Sequence, residues 1–192
     1  MIAIVKYNAG NIISVKNAVE RLGYSCLVTD DQSILKQAEK VIFPGVGEAS
    51  SAMKYLKEKG LDKVIRNLKQ PVLGICLGQQ LMCQFSEEGN TECIGIFDAI
   101  IKKFEPKLKV PQMGWNNISN LNSELYIGIS ADEDFYFVHS YYAEITNETT
   151  AICDYIVPFS ASMQKNNFYA TQFHPEKSSD VGEQLLLNFL KL

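Results

Sequence analysis

Three short segments of the chain carry residue types suited to attacking a carbonyl group. In Gly74-Ile75-Cys76-Leu77-Gly78 a cysteine stands between two glycines, with an apolar run from Val72 entering and Gln79-Gln80-Leu81-Met82 leaving. That is the pattern of a nucleophile elbow with cysteine in the serine position. Its glycines let neighbouring backbone pass close to a sharply turned residue, which projects its side chain outward. A free thiol of pKa ~8.5 is only a few per cent thiolate at neutral pH. The start of a helix favours the thiolate, and the Leu77 N–H could serve as an oxyanion donor. A tight strand-to-helix turn around a buried cysteine fits the same five residues.

Only two histidines are present, so the search for a proton acceptor is short. His174, in Gln172-Phe173-His174-Pro175-Glu176, follows an alternating apolar stretch from Phe168. Pro175 fixes its own φ and restricts the residue before it, so the imidazole leaves a strand end in a defined direction. Glu176 could accept from one ring nitrogen and orient the other toward Cys76. His139, in Phe137-Val138-His139-Ser140-Tyr141, has no carboxylate within two residues and reads as structural. Pairing Cys76 with His174 rests on one well-placed thiol and one oriented imidazole, not on spacing. Pro44-Gly45-Val46-Gly47 offers two glycines whose backbone can approach a ligand. A P-loop would end in Lys-Ser/Thr, whereas Glu48-Ala49-Ser50 follows here. An oxyanion donor beside Cys76 is therefore a better use than a phosphate cradle, with a plain type II turn still open.

These loops need elements to hold them. Ile2–Val5, Tyr24–Val28, Val41–Phe43 and Val72–Ile75 read as strands, the first and last of them buried. Ile12, Val15, Val19 and Leu22 recur at helical spacing and stop at Gly23. Met53, Leu56, Leu61, Val64, Ile65 and Leu68 mark helical material interrupted at Gly60, and Leu185, Leu186, Phe189 and Leu190 a closing helix. This β-α-β-α-β rhythm predicts an α/β fold with a mostly parallel central sheet flanked by helices. After Thr91 the strands are shorter and alternating, with Phe135–Val138 the clearest, which predicts an antiparallel extension. In such sheets sites gather at the carboxyl ends of the strands, where the glycine-rich loops lie.

The chain has 192 residues, 46% of them hydrophobic, which fits one domain over residues 1–192. Eighteen basic residues against 22 acidic ones give no support for an electrostatically driven nucleic-acid binder. No apolar run approaches a membrane span, and Met1 leads into Ile2-Ala3-Ile4-Val5 without the basic start of a signal peptide. A cytoplasmic location is the expectation. Five scattered cysteines, with no Cys-x-x-Cys and no His-x-x-x-His, argue against a disulfide framework or a zinc site. No metal and no cofactor are expected. Cys83, two helical turns beyond Cys76, reads as core.

Together the three segments resemble the class I, triad-type glutamine amidotransferases. Lys109-Val110-Pro111-Gln112-Met113-Gly114-Trp115-Asn116, Tyr136-Phe137-Val138-His139-Ser140-Tyr141 and His174-Pro175-Glu176-Lys177-Ser178 match further family signatures. The opening Tyr7-Asn8-Ala9-Gly10-Asn11 matches with Asn8 in place of a glycine, and Gln112 stands where relatives usually carry histidine. The resemblance spans essentially the whole chain and implies a flavodoxin-like fold. It implies a triad of Cys76, His174 and Glu176 that hydrolyses glutamine to glutamate and ammonia through a thioester. Gly45, Val46, Gly47 and Leu77 would form the oxyanion hole, and Gln80, Ser140 and Tyr141 would hold the substrate. It further implies a heterodimer in which ammonia passes to a (β/α)8-barrel cyclase subunit for histidine biosynthesis. Asn11, Met113, Trp115, Tyr136 and Lys177 would lie at that contact. The alternatives are a paralogue feeding a sugar-modifying amidotransferase, a stand-alone γ-glutamyl hydrolase, and a catalytically silent binding module.

Overall fold

The computed structural model describes residues 1–192, and its elements follow the changes of apolar period along the chain. The first half runs β1 (Ile2–Val5), α1 (Ile12–Arg21), β2 (Cys26–Thr29), α2 (Gln32–Gln37), β3 (Lys40–Gly45), α3 (Ala49–Lys59), α4 (Leu61–Arg66), β4 (Val72–Cys76) and α5 (Leu77–Met82). The second half adds β5 (Phe85–Ser86), β6 (Thr91–Glu92), β7 (Ile100–Lys103), β8 (Gln112–Asn117), β9 (Asp134–His139), β10 (Tyr141–Ala143), β11 (Thr149–Tyr155), β12 (Val157–Lys165), β13 (Phe168–Thr171) and α6 (Ser179–Lys191).

Seven strands form the main sheet in the order β11-β12-β13-β4-β3-β1-β2. The five from β13 to β2 are mutually parallel, while β12 and β11 are added antiparallel at one edge. Both faces are covered, as a parallel sheet requires. Successive residues of β1 therefore enter opposite cores: Ala3 and Val5 pack on the side of α3 and α4, Ile2 and Ile4 on the side of α1 and α6. A second sheet, β10-β7-β5-β6, antiparallel but for its parallel β5–β7 pair, and the antiparallel ribbon β8-β9 complete the extension. No helix is long and apolar enough to cross a membrane.

The expected breaks hold. Gly23 and Gly60 sit at positive φ, +85° and +67°, ending α1 and separating α3 from α4. Two readings shift. Tyr24 belongs to the closure of α1, its N–H bonding to Val19, so β2 starts at Cys26 rather than Tyr24. Helix α2 gives no periodic signal because Leu35 is its one buried residue; it is held by Asp31, which accepts from the Ser33 and Ile34 N–H groups.

Candidate active site

Strands β3, β4 and β13 are neighbours, and Gly45 pairs with Cys76 across the ladder. Their carboxyl ends therefore deliver the glycine loop, the cysteine and the histidine segment to one place. Cys76 is the turning residue between β4 and α5, at φ 54° and ψ −108°, a conformation that a side-chain-bearing residue adopts only under constraint. The constraint comes from close backbone packing. A Cβ on Gly78 would stand 1.8 Å from the Phe43 carbonyl oxygen, and one on Gly74 would stand 2.6 Å from Met82 Sδ. Gly45 is likewise pressed by the Tyr7 hydroxyl, 1.9 Å from where its Cβ would be.

His174 is fixed at both ends of its backbone. Its N–H donates to the Tyr136 carbonyl at 2.9 Å, and its carbonyl accepts from Ser178 Oγ at 2.6 Å. Pro175 then opens a 3₁₀ turn, Pro175–Lys177, that folds Glu176 back under the ring. Glu176 Oε1 lies 2.8 Å from His174 Nδ1, with both side chains wholly shielded from solvent. Burial by itself lowers the imidazole pKa; the Cys76 sulfur and Glu176 outweigh it and push the value from 6.5 up to about 10. Nε2 is buried with no hydrogen-bond partner, and Cys76 is the ionisable group acting on it from outside the His174–Glu176 pair.

Asn11 is half-buried, with its amide against this pair. At φ 68° it caps the start of α1 and points its amide at the His174–Glu176 pair, donating from Nδ2 to Glu176 Oε1. Its Nδ2 also lies 3.4 Å from His174 Nδ1. An Asn tolerates that left-handed φ better than most residues, which suits it to this corner.

Cys76 opens into a pocket of about 270 Å³ whose walls include Val46, Gly47, Leu77, Gln80, Ser140 and Tyr141. That is close to the ~300 Å³ lower end of ligand sites, so it fits a small molecule. The Val46 carbonyl accepts from the Gly10 N–H at 3.0 Å, and Gly47 at φ +142° makes the loop's turn. The Ser140 carbonyl is taken by the Phe104 N–H, and the Tyr141 carbonyl by Gln80 Nε2 at 3.0 Å. Gln80 itself lines the pocket.

One pocket residue escapes a reading of the sequence. Glu88, beside Gly89 in a 3₁₀ turn, is the carboxylate in the pocket wall. Burial raises its pKa and nearby Glu48 adds to this, while the Ala49 N–H, 2.8 Å from Oε2, opposes the rise. Nothing in Glu87-Glu88-Gly89-Asn90 distinguishes it from a solvated turn.

His139 takes the structural role expected of it. Burial lowers its pKa to about 4, and the ring bridges the Tyr141 carbonyl at 2.7 Å and the Gln112 side chain at 3.0 Å. Next to Gln112 on β8, Met113 and Trp115 project outward, 57% and 54% exposed. Tyr136 opposes Trp115 on β9 with rings 5.9 Å apart, and Lys177 is exposed at the end of the Pro175–Lys177 turn. No group of three or more His, Cys, Asp or Glu residues is placed to hold a metal ion.

The profile of the glutamine amidotransferase class-I family matches residues 4–192. Imidazole glycerol phosphate synthase subunit HisH of Bacteroides fragilis is 59% identical, over 100% of this chain and 99% of that protein. The same subunit of Bacteroides thetaiotaomicron is 57% identical over the same shares. In Pasteurella multocida it is 46% identical, over 99% of this chain and 97% of that protein. Among solved structures, PurLQS from Thermotoga maritima superposes with a TM-score of 0.74 at 16% identity, covering 99% of this chain and 97% of that one. The glutaminase domain of Trypanosoma brucei CTPS with bound acivicin reaches 0.66 at 16%, covering 99% and 93%. At those identities the structures speak to the fold alone.

Proposed function

The chain belongs to the class-I glutamine amidotransferases, and from that premise we propose that it is the glutaminase subunit of an imidazole glycerol phosphate synthase. Cys76 attacks the side-chain amide of glutamine as the thiolate. The oxyanion forms against the N–H groups of Leu77 and of the Val46–Gly47 loop. His174, charged and held by Glu176, gives its proton to the departing ammonia, leaving a γ-glutamyl thioester on Cys76. The now neutral His174 takes a proton from water, which attacks the thioester and releases glutamate with the thiolate restored. Asn11 holds the Glu176 carboxylate that orients the imidazole. Glu88 meets the α-ammonium group of the substrate, and Gln80 Oε1 and the Ser140–Tyr141 backbone bind the rest of its amino-acid end.

The observation that carries this reading is the shielded His174–Glu176 pair, 2.8 Å apart, beside a cysteine on a constrained elbow that opens into a small pocket. The choice of synthase rests on the shared name of the relatives that span the whole chain. Free ammonia is protonated in neutral water and loses its nucleophilicity, so a sealed route into a partner has a physical purpose. That partner is a (β/α)8-barrel cyclase subunit, bound as a heterodimer through Asn11, Met113, Trp115, Tyr136 and Lys177. The apolar pair at the centre and the cation at the margin suit an interface anchor with a polar rim.

Reconstitution tests the assignment. Glutamine hydrolysis by the isolated chain should be weak and rise about 10–100-fold with the ligand-bound cyclase, the usual range of a coupling between sites. An unchanged rate would contradict the proposal, and stimulation by a sugar-modifying enzyme instead would move the acceptor to that class.

The His174 value also sets a pH dependence. The imidazolium is the acid for ammonia departure, so kcat/KM for glutamine should stay high past neutrality and fall on the alkaline side near pH 10. Because the folded pKa lies above the ordinary 6.5, the pair's contribution to stability is complete below about 6.5 and disappears as pH rises through about 10. An alkaline limb near pH 7 would show that the ring is not held charged.

A further inference from the structure

Gln172, two residues before His174, is completely buried, and its amide joins two parts of the site. Its Oε1 accepts from Gln80 Nε2 at 2.9 Å, and its Nε2 donates to Cys76 Sγ at 3.6 Å. Gln80 spends its remaining N–H on the Tyr141 carbonyl at 3.0 Å. A backbone carbonyl can only accept, so Tyr141 fixes which end of the Gln80 amide faces it. Gln80 then has an N–H to offer Gln172, which fixes the Gln172 oxygen on that side. The Gln172 NH2 group is thereby left pointing at the sulfur. Turning either amide over would set two donors or two acceptors face to face.

We infer that Gln172 is a further residue of the catalytic machinery: its Nε2–H stabilises and aims the Cys76 thiolate, with its orientation set by the Tyr141–Gln80 relay. Hydrogen bonds to an anion are stronger than those to its neutral form, so a donor locked on the sulfur favours the charged state. The relay also ties the nucleophile to Gln80, which lines the pocket, so the side chain proposed to bind substrate also orients the amide that holds the thiolate. A glutamine that only filled space would have no such directional chain ending on the sulfur.

The inference rests on Cys76 being the nucleophile, and one experiment separates the two. In the full-length protein, the rate at which iodoacetamide alkylates Cys76 is followed against pH by peptide mass spectrometry, for the parent, Gln172→Met and Gln172→Glu, with melting temperature as the check on folding. Gln172→Met removes the donor at similar volume. Gln172→Glu keeps the acceptor for Gln80 and puts an anion on the sulfur. The midpoint of the alkylation profile should move up by about one pH unit in the Met variant and further in the Glu variant. In complex with the partner, kcat/KM for glutamine should fall at least about tenfold. Profiles that coincide with the parent's in either folded variant would overturn the role of Gln172 while leaving the nucleophile in place. Failure of glutamine to protect Cys76 in the parent would instead remove the nucleophile assignment itself.

Discussion

Cys76→Ala is expected to lower kcat for glutamine hydrolysis by at least about 10⁴-fold in the complex with the partner, while the pocket still takes up glutamine. In the proposed reaction the sulfur accepts the acyl group, and no other side chain on the pocket wall can replace it. Ser140 and Tyr141 carry hydroxyls there, but the only ring able to serve a nucleophile as base, His174, is turned toward Cys76 by Glu176 at 2.8 Å. A second readout follows from the electrostatics. Cys76 is the largest of the influences raising the His174 pKa, so its removal lets burial pull the value down from about 10. Titration of the His174 ring by NMR measures that fall. Retained hydrolysis, or an unmoved His174 titration, would mean that the thiolate–imidazolium pair is not what the geometry suggests.

Gly78→Ala is expected to be the most damaging substitution of a residue that touches no substrate. The added methyl would stand 1.8 Å from the Phe43 carbonyl oxygen and 3.0 Å from the carbonyl carbon. Phe43 is fully buried in β3, so neither side can yield without moving backbone. Overpacking of this kind costs about 3 kcal/mol or more, and here it also displaces the start of α5 from under Cys76. Gly128→Ala supplies the contrast. It places a side chain at positive φ, +76°, but nothing lies within 4 Å of the new methyl. About 1 kcal/mol and unchanged turnover are expected there. Denaturant unfolding and glutaminase turnover of the two variants check the pair: similar losses in both would show that strain at glycine, rather than close packing under the elbow, governs this region.

Much of this site can be read from the chain because its residues need local neighbours of a particular kind. Gly74 and Gly78 flank Cys76 because no side chain fits there, and Pro175 with Glu176 follows His174 because the turn must bring a carboxylate back under the ring. Such requirements leave short sequence signatures. Glu88 leaves none, and Gln172 stands in the Gln172-Phe173-His174-Pro175-Glu176 segment with no mark there of what it contacts. Each acts through contacts made across 39 and 92–96 positions of sequence, to Ala49, Gln80 and Cys76, and such pairs exist only once the sheet is assembled. Asn11 is an intermediate case, visible as part of a motif, while its contact with Glu176 spans 165 positions. The same contrast holds for the fold. The parallel strands announce themselves as continuous apolar runs, whereas α2, with Leu35 alone buried, carries no period to read.

The most direct measurement is covalent labelling of the full chain, in complex with its partner, by an electrophile shaped like glutamine, followed by mass spectrometry of every cysteine. The other buried thiols are poor competitors: burial pushes Cys93 and Cys153 up to about 12, and Cys83 well above its ordinary value. The expected result is modification confined to Cys76 and suppressed by glutamine. Labelling of a different cysteine, or no labelling of Cys76 with the partner present, would contradict its assignment as the nucleophile.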